Sequence, residues 1–167
     1  MHRRTMMISA LTAAGGVTMG LAGFFKTARA AGDKEVFEIT KTDEEWKKVL
    51  TPEQYDVLRG HGTERAFSSP LNHEKREGVF ACAACQLPLY ASETKYDSGT
   101  GWPSFWQPLE NAVGTSTDYF LFYPRTEVHC RRCGGHLGHV FDDGPQPTGK
   151  RYCMNGVAMI FIPKEKA

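Results

Sequence analysis

Two periodicities divide the chain. Between residues 42 and 60 apolar positions recur at helical spacing. Thr42 and Glu45 stand at capping-box spacing, with Trp46, Val49 and Leu50 forming one apolar face behind them, so a helix is predicted to start at Thr42. Thr51-Pro52-Glu53-Gln54 starts a second, because Thr51 suits an N-cap and proline is tolerated in the first turn. Tyr55, Val57 and Leu58 follow, and Gly60 supplies the stop. From Val79 onward the helical period is lost. Short β-rich runs occur at residues 79–81, 119–123, 140–141 and 157–162. Turn residues separate them: Asp97-Ser98-Gly99, Arg132-Cys133-Gly134-Gly135 and Asp143-Gly144-Pro145-Gln146-Pro147. Residues 119–123 are aromatic at nearly every position, which predicts a strand covered on both faces. Residues 31–41, with apolar Val36, Phe37 and Ile39, read as a short extended lead-in. The pattern predicts a mainly β, α+β domain with two short N-terminal helices.

Ahead of this lies an uncharged stretch from Thr5 to Phe25, preceded by Arg3-Arg4 and followed by Lys26, Thr27 and Ala28-Arg29-Ala30. A basic start, an uncharged middle and an A-x-A site form the layout of a signal peptide, with cleavage predicted after Ala30. An uncleaved membrane anchor is the alternative, since the run is long enough to span. Gly15, Gly16, Gly20, Gly23, Thr12 and Thr18 dilute it and favour cleavage, which leaves no stable membrane span. Adjacent arginines before a mild apolar region favour the twin-arginine route to the periplasm over secretion of the unfolded chain. The expected organisation is therefore a leader at 1–30 and one domain at 31–167.

The 167 residues are 41% hydrophobic and 23% charged, a globular composition that excludes a disordered chain, a collagen-like repeat and a polytopic membrane protein. Residues 1–30 hold four basic residues and no acid, so the remainder carries 16 basic and 19 acidic residues, a net charge of −3. That balance argues against a nucleic-acid partner, whose binding rests on neutralising phosphates.

Chemistry concentrates in the five cysteines. Cys82-Ala83-Ala84-Cys85 and Cys130-Arg131-Arg132-Cys133 are two C-x-x-C turns separated by 44 residues. Each turn aims two sulfurs at one centre, and two turns supply the four thiolates that tetrahedral zinc prefers. The glycines of Gly134-Gly135 suit the tight second turn. Two disulfides, or one redox-active pair, are the competing readings in an exported protein. His129 adjoins Cys130, but its place in the chain points it away from the same centre.

The fifth cysteine, Cys153, lies in Arg151-Tyr152-Cys153-Met154-Asn155. On a strand, positions i and i+2 share a face, which would align Arg151, Cys153 and Asn155. A nearby cation favours a nucleophilic thiolate; a buried core cysteine is the plain alternative. His136 and His139, three apart, are candidate acid–base groups or structural histidines. Trp102 and Phe105, in a glycine-flanked aromatic cluster, are candidates for the wall of an apolar pocket or for plain core.

These motifs stand in the order seen in the methionine sulfoxide reductases of the B type: Cys82-x-x-Cys85, Gly101-Trp102-Pro103-Ser104-Phe105, Cys130-x-x-Cys133-Gly134, His136-Leu137-Gly138-His139-Val140-Phe141 and Arg151-Tyr152-Cys153-x-Asn155. The chain resembles that family from about Trp46 to Ile162. The resemblance implies two coiled antiparallel β-sheets with N-terminal helices, and reduction of the R epimer of methionine sulfoxide, mainly in oxidised proteins and peptides. It implies Cys153 as nucleophile and Trp102 as the holder of the substrate methyl group, with Phe105 and Phe141 beside it. His136, His139 and Asn155 would line the polar side, Arg151 would support the thiolate, and Cys82, Cys85, Cys130 and Cys133 would hold a structural zinc. One departure matters. Many members carry a resolving cysteine immediately before the Gly-Trp-Pro-Ser-Phe motif, where this chain has Thr100. A one-cysteine cycle is therefore expected, completed by a thioredoxin-like protein or another external thiol, in a monomeric enzyme. A zinc-stabilised, non-catalytic β binding module is the rival reading, which need not keep Cys153, His139, Asn155 and Trp102 together. A C-x-x-C thiol–disulfide oxidoreductase is a third, which would need a free cysteine pair.

Overall fold

The computed structural model describes residues 36–119, 121 and 123–165. The leader predicted at 1–30 and residues 31–35 of the lead-in lie outside them.

Helices α1 (Asp43–Val49) and α2 (Pro52–Gly60) each open on a complete capping box. In α1 the Glu45 N–H donates to Thr42 Oγ1 at 3.3 Å and the Thr42 N–H donates to Glu45 Oε2 at 2.8 Å. Thr51 and Gln54 repeat the exchange at 3.2 and 3.1 Å. The reciprocal bonds satisfy backbone donors that a helix start would otherwise leave unpaired. α1 buries Trp46, and Leu50 just after it, but Val49 is 59% exposed, so the predicted apolar face is narrower by one residue. α2 buries Val57 and Leu58 and runs through Gly60; the left-handed residue that ends it is His61, at φ 56°.

The remaining chain forms antiparallel strands: β1 (Gly78–Cys82), β2 (Pro88–Ala91), β3 (Lys95–Tyr96), β4 (Ser104–Phe105), β5 (Val113–Asp118), β6 (Arg125–Cys130), β7 (His136–Phe141), β8 (Arg151–Met154) and β9 (Met159–Pro163). They make a three-stranded sheet in the order β2-β1-β9 and a six-stranded sheet in the order β3-β4-β8-β7-β6-β5. The expected mainly β fold with two sheets and a short helical lead-in is therefore present. Phe80, Tyr90, Phe105, Leu137 and Met154 are fully buried between these elements. The Tyr90 hydroxyl donates to Met154 Sδ at 3.1 Å, giving a buried polar group a partner.

Two strand expectations change. Residues 119–123 are the connection between β5 and β6, with Tyr119, Leu121 and Tyr123 exposed; Phe120 and Phe122 lie outside the described residues. The hairpin closes earlier, where Asp118 pairs with Arg125 in register and accepts from its Nη2 at 2.6 Å. The predicted strand at 157–162 begins later, since Gly156–Ala158 form a 3-10 turn before β9. Val36 is exposed, and the lead-in is anchored instead by the Ile39 N–H donating to the Arg132 carbonyl at 3.0 Å.

Phe105 is a core residue. It is fully buried and stacks on Tyr90 with ring centroids 4.3 Å apart. Phe105→Ala is expected to lower the free energy of unfolding by about 3–4 kcal/mol, as large-to-small core changes do. Denaturant titration measures this, and a loss below about 1 kcal/mol would contradict the placement.

Candidate functional site

The central strands of the six-stranded sheet build a pocket by their register. β7 and β8 pair with His139 opposite Cys153 and Phe141 opposite Arg151. Directly opposed residues share a face, with Cβ atoms about 5 Å apart. Asn155, one residue past β8, joins Arg151 and Cys153 on the same side. On the other side β8 pairs with β4, Ser104 opposite Cys153, which draws in the turn before it. Thr100 Oγ1 lies 3.8 Å from Cys153 Sγ. A cavity of about 250 Å³ is lined by Cys153, His139, Asn155, Arg151, Trp102 and Phe141 together with Thr63, Thr100 and Arg125. A larger cavity of about 510 Å³ beside α2 is lined by no cysteine and no histidine.

Six predicted site residues thus converge and two do not. Phe105 is in the core. His136 is buried behind the pocket wall, its ring centroid 5.4 Å from that of His139. A bulge makes this possible. Val128 pairs with Gly138 and His129 with His136, so Leu137 is the extra residue and the two histidines, three apart, reach one face.

Each side chain is held. Trp102 Nε1 donates to the Glu64 carbonyl at 2.9 Å. Asn155 Oδ1 accepts from the Glu64 N–H at 2.9 Å and its Nδ2 donates to the Leu137 carbonyl at 3.0 Å, so this amide braces the pocket as well as lining it. Arg151 donates through Nε and Nη2 to both oxygens of Asp143, at 2.8 Å each, and its guanidinium lies 4.3 Å from the Phe141 ring centroid. Its charge is therefore paired with Asp143, whose carboxyl it holds below the usual range.

The histidines form two carboxylate pairs. His139 Nε2 lies 2.7 Å from Asp118 Oδ2, which also takes Arg125. Burial pushes the His139 value down, against the upward pull of Asp118, so its neutral form prevails at neutral pH. Beside an ionised Asp118 the Nε2 carries the proton, which leaves Nδ1 as the basic nitrogen. His136 Nδ1 lies 2.7 Å from Glu127 Oε1, and the Glu127 carboxyl is driven far below its usual range by its hydrogen bonds to His136 and His61. Asp118, Arg125, Glu127, His61 and Glu64 were not singled out in the sequence. The only signal was the period-two spacing of Arg125 and Glu127 in a β-rich run, which does not reveal their partners.

Away from the pocket, the Cys82, Cys85, Cys130 and Cys133 sulfurs lie within 4.8 Å of one another, three of these residues being buried. Cys82 and Cys133 sulfurs are 3.8 Å apart, Cys85 and Cys130 3.5 Å. A disulfide needs about 2.05 Å, whereas a tetrahedral zinc with bonds of about 2.3 Å spaces its sulfurs by about 3.8 Å. The donor set fits a metal and none of the five cysteines is bridged. Gly134 permits the tight second turn, at φ 67° with a Cβ there falling 2.3 Å from the Phe37 ring.

The family model described as the SelR domain matches residues 50–163. The protein named peptide methionine sulfoxide reductase MsrB of Methanosarcina barkeri is 56% identical over 129 residues, covering 77% of this chain and 91% of its own. The protein of the same name from Agrobacterium fabrum is 51% identical over 127 residues, 75% of this chain and 94% of its own. Chloroplastic peptide methionine sulfoxide reductase B1 of Arabidopsis thaliana is 55% identical over 126 residues, 75% of this chain and 62% of its own. The chain belongs to the SelR-domain, methionine sulfoxide reductase B family.

The depressed His139 value has a measurable sign. Below about pH 6.5 an unfolded histidine binds a proton that folded His139 resists, so this group's contribution to stability falls as pH drops through that range. Ring NMR should show His139 titrating below the ordinary histidine value. Asp118→Asn should move it lower still, because Asp118 is what pulls it up; an upward shift in the variant would contradict the assignment.

Proposed function

We propose that this protein reduces the R epimer of methionine sulfoxide in oxidised proteins and peptides, with Cys153 as the nucleophile. The observation that carries this reading is the unbridged Cys153 thiol opposite His139 in a pocket walled by Trp102. The basic nitrogen of His139 takes the Cys153 proton and returns it to the sulfoxide oxygen as the thiolate attacks the sulfoxide sulfur. The oxygen passes to Cys153, which becomes a sulfenic acid; the substrate sulfur is reduced by two electrons and leaves as methionine. The indole of Trp102 and the ring of Phe141 favour the methyl group, and the His139 side favours the oxygen, which selects one epimer. Arg151 and Asn155 hold this geometry, Arg151 through Asp143 and Asn155 through Glu64 and Leu137.

The second half of the cycle uses an outside thiol, from a thioredoxin-like protein or another reductant. It attacks the sulfenic sulfur, water leaves and a mixed disulfide forms, which a second thiol resolves. Thr100 Oγ1 stands 3.8 Å from Cys153 Sγ, and the other four cysteines of the chain are assigned to a structural zinc. When bound, that ion supplies no reaction step; Cys82, Cys85, Cys130 and Cys133 would use it to tie together two turns distant in sequence. We further read residues 1–30 as an export leader of the twin-arginine type, which carries folded proteins, so the metal can be loaded before the domain reaches the periplasm.

Wild type should reduce the R epimer and not the S epimer, and Cys153→Ser should lose at least about a thousandfold of the rate. Activity restricted to the S epimer, or surviving in the variant, would overturn the reading. Thr100→Cys should form an internal disulfide with Cys153 after one turnover, seen as the loss of two free thiols; absence of that bond would contradict the reading of position 100 as the missing resolving site beside Cys153.

A further inference from the structure

The turn at Asp97-Ser98-Gly99 starts a chain of hydroxyl groups that ends at the nucleophile. Asp97 Oδ1 holds the turn by accepting from the Gly99 N–H at 2.9 Å. Ser104 is 1% exposed and stands opposite Cys153 in register. Its Oγ donates to the Trp102 carbonyl at 3.1 Å. A carbonyl oxygen can only accept, and a serine hydroxyl has one proton to give. Ser104 therefore accepts from Ser98, whose Oγ lies 2.7 Å away. Ser98, its own proton engaged, accepts from Thr100 Oγ1 at 2.8 Å and from the Thr100 N–H at 3.5 Å. The last link runs from Thr100 Oγ1 to Cys153 Sγ, at 3.8 Å. With its proton turned toward Ser98, Thr100 offers the sulfur a lone pair and no donor. One backbone carbonyl thus sets the direction of every bond in the chain.

We infer that Ser98 and Ser104 fix Thr100 as a hydrogen-bond acceptor for the Cys153 thiol, so that the resting protein keeps on this sulfur the proton that the reaction later needs. The inference rests on the reading of Cys153 as the sulfoxide-reducing nucleophile. In that reaction the thiol proton passes through His139 to the departing oxygen, so a sulfur already ionised would enter the cycle one proton short. An acceptor beside the sulfur favours the thiol, whereas a donor would favour the thiolate. The hydroxyl chain passes no proton itself. Each oxygen keeps its own, and no electrons move. The other charged or titratable groups that face Cys153 are His139 and Arg125 of the pocket wall, Arg151, which is paired with Asp143, and Tyr96, on the far side of Ser104. None of these belongs to the hydroxyl chain. Thr100 touches the reacting sulfur; Ser98 and Ser104 act through it and are positioning residues. Thr100 therefore does more than stand where a resolving cysteine would.

The test is the rate at which iodoacetamide alkylates Cys153 in the whole protein, its four-cysteine cluster loaded with zinc, read by mass spectrometry of the peptide that holds Cys153. The thiolate is the reacting form. Ser98→Ala frees the Thr100 hydroxyl to turn and donate to the sulfur. It should speed alkylation at neutral pH about fivefold, the scale of one hydrogen bond. The gain should disappear at alkaline pH, where the sulfur is ionised in both proteins. Ser98→Thr keeps the hydroxyl and should react as wild type does. Adding Thr100→Val to Ser98→Ala removes the donor and should abolish the gain. A Ser98→Ala rate equal to wild type would overturn the inference. So would a gain that persists at all pH values or survives in the double variant, which would leave the serines as ties within the turn. Failure of wild type to form methionine from the R sulfoxide in a single turnover would instead remove the Cys153 reading on which the inference rests.

Discussion

Cys153 and His139 face each other because β7 and β8 pair in one register, and that register requires residue 138 to lack a side chain. A Cβ on Gly138 would fall 2.2 Å from the Cys153 carbonyl oxygen and 3.0 Å from the Met154 Cα, closer than bonded strands tolerate. With glycine there the strands close, His139 stands opposite Cys153 and Phe141 opposite Arg151. The bulge one residue earlier turns His136 toward the same face, where Glu127 meets it. The facing of Cys153, His139 and Phe141 follows from one backbone approach in the middle of a sheet.

The sulfur atoms serve two separate ends. Cys82 closes β1 of the smaller sheet and Cys130 closes β6 of the larger, so the four-sulfur cluster joins the two sheets through their turns. Cys153 lies on β8, between β4 and β7. The helical lead-in closes over the cluster's side of the molecule. Arg59 of α2 donates to the Cys133 carbonyl at 3.1 Å and lies 5.2 Å from the buried Trp46 ring. His61, two residues on, reaches Glu127. One short helix therefore touches both the cysteine turn and the histidine network.

The chain disclosed its chemistry better than its packing. Both capping boxes were legible because the cap and its partner are three residues apart and the exchange is local. The alignment of Arg151, Cys153 and Asn155 was legible because strand alternation needs no long-range information. The roles of Asp118 and Glu127 were hidden, since their partners lie on other strands and depend on pairing registers. Phe105 was misplaced for the same reason: whether an aromatic faces a pocket or a core depends on the element packed against it, here Tyr90. Val49, Tyr119, Leu121 and Tyr123 show the limit of apolar patterning, because an apolar residue is free to remain exposed at a helix end or between strands.

In the proposed cycle Cys153 takes the oxygen from the substrate and keeps it until an outside thiol arrives. Mass spectrometry of the protein, mixed with R-methionine sulfoxide and a sulfenic-acid trapping reagent in the absence of reductant, tests it most directly. One equivalent of methionine should be released and the trapping adduct should form on Cys153, with the other four cysteines unmodified. An internal disulfide between Cys153 and one of those four would contradict it, as would methionine release with no adduct on Cys153.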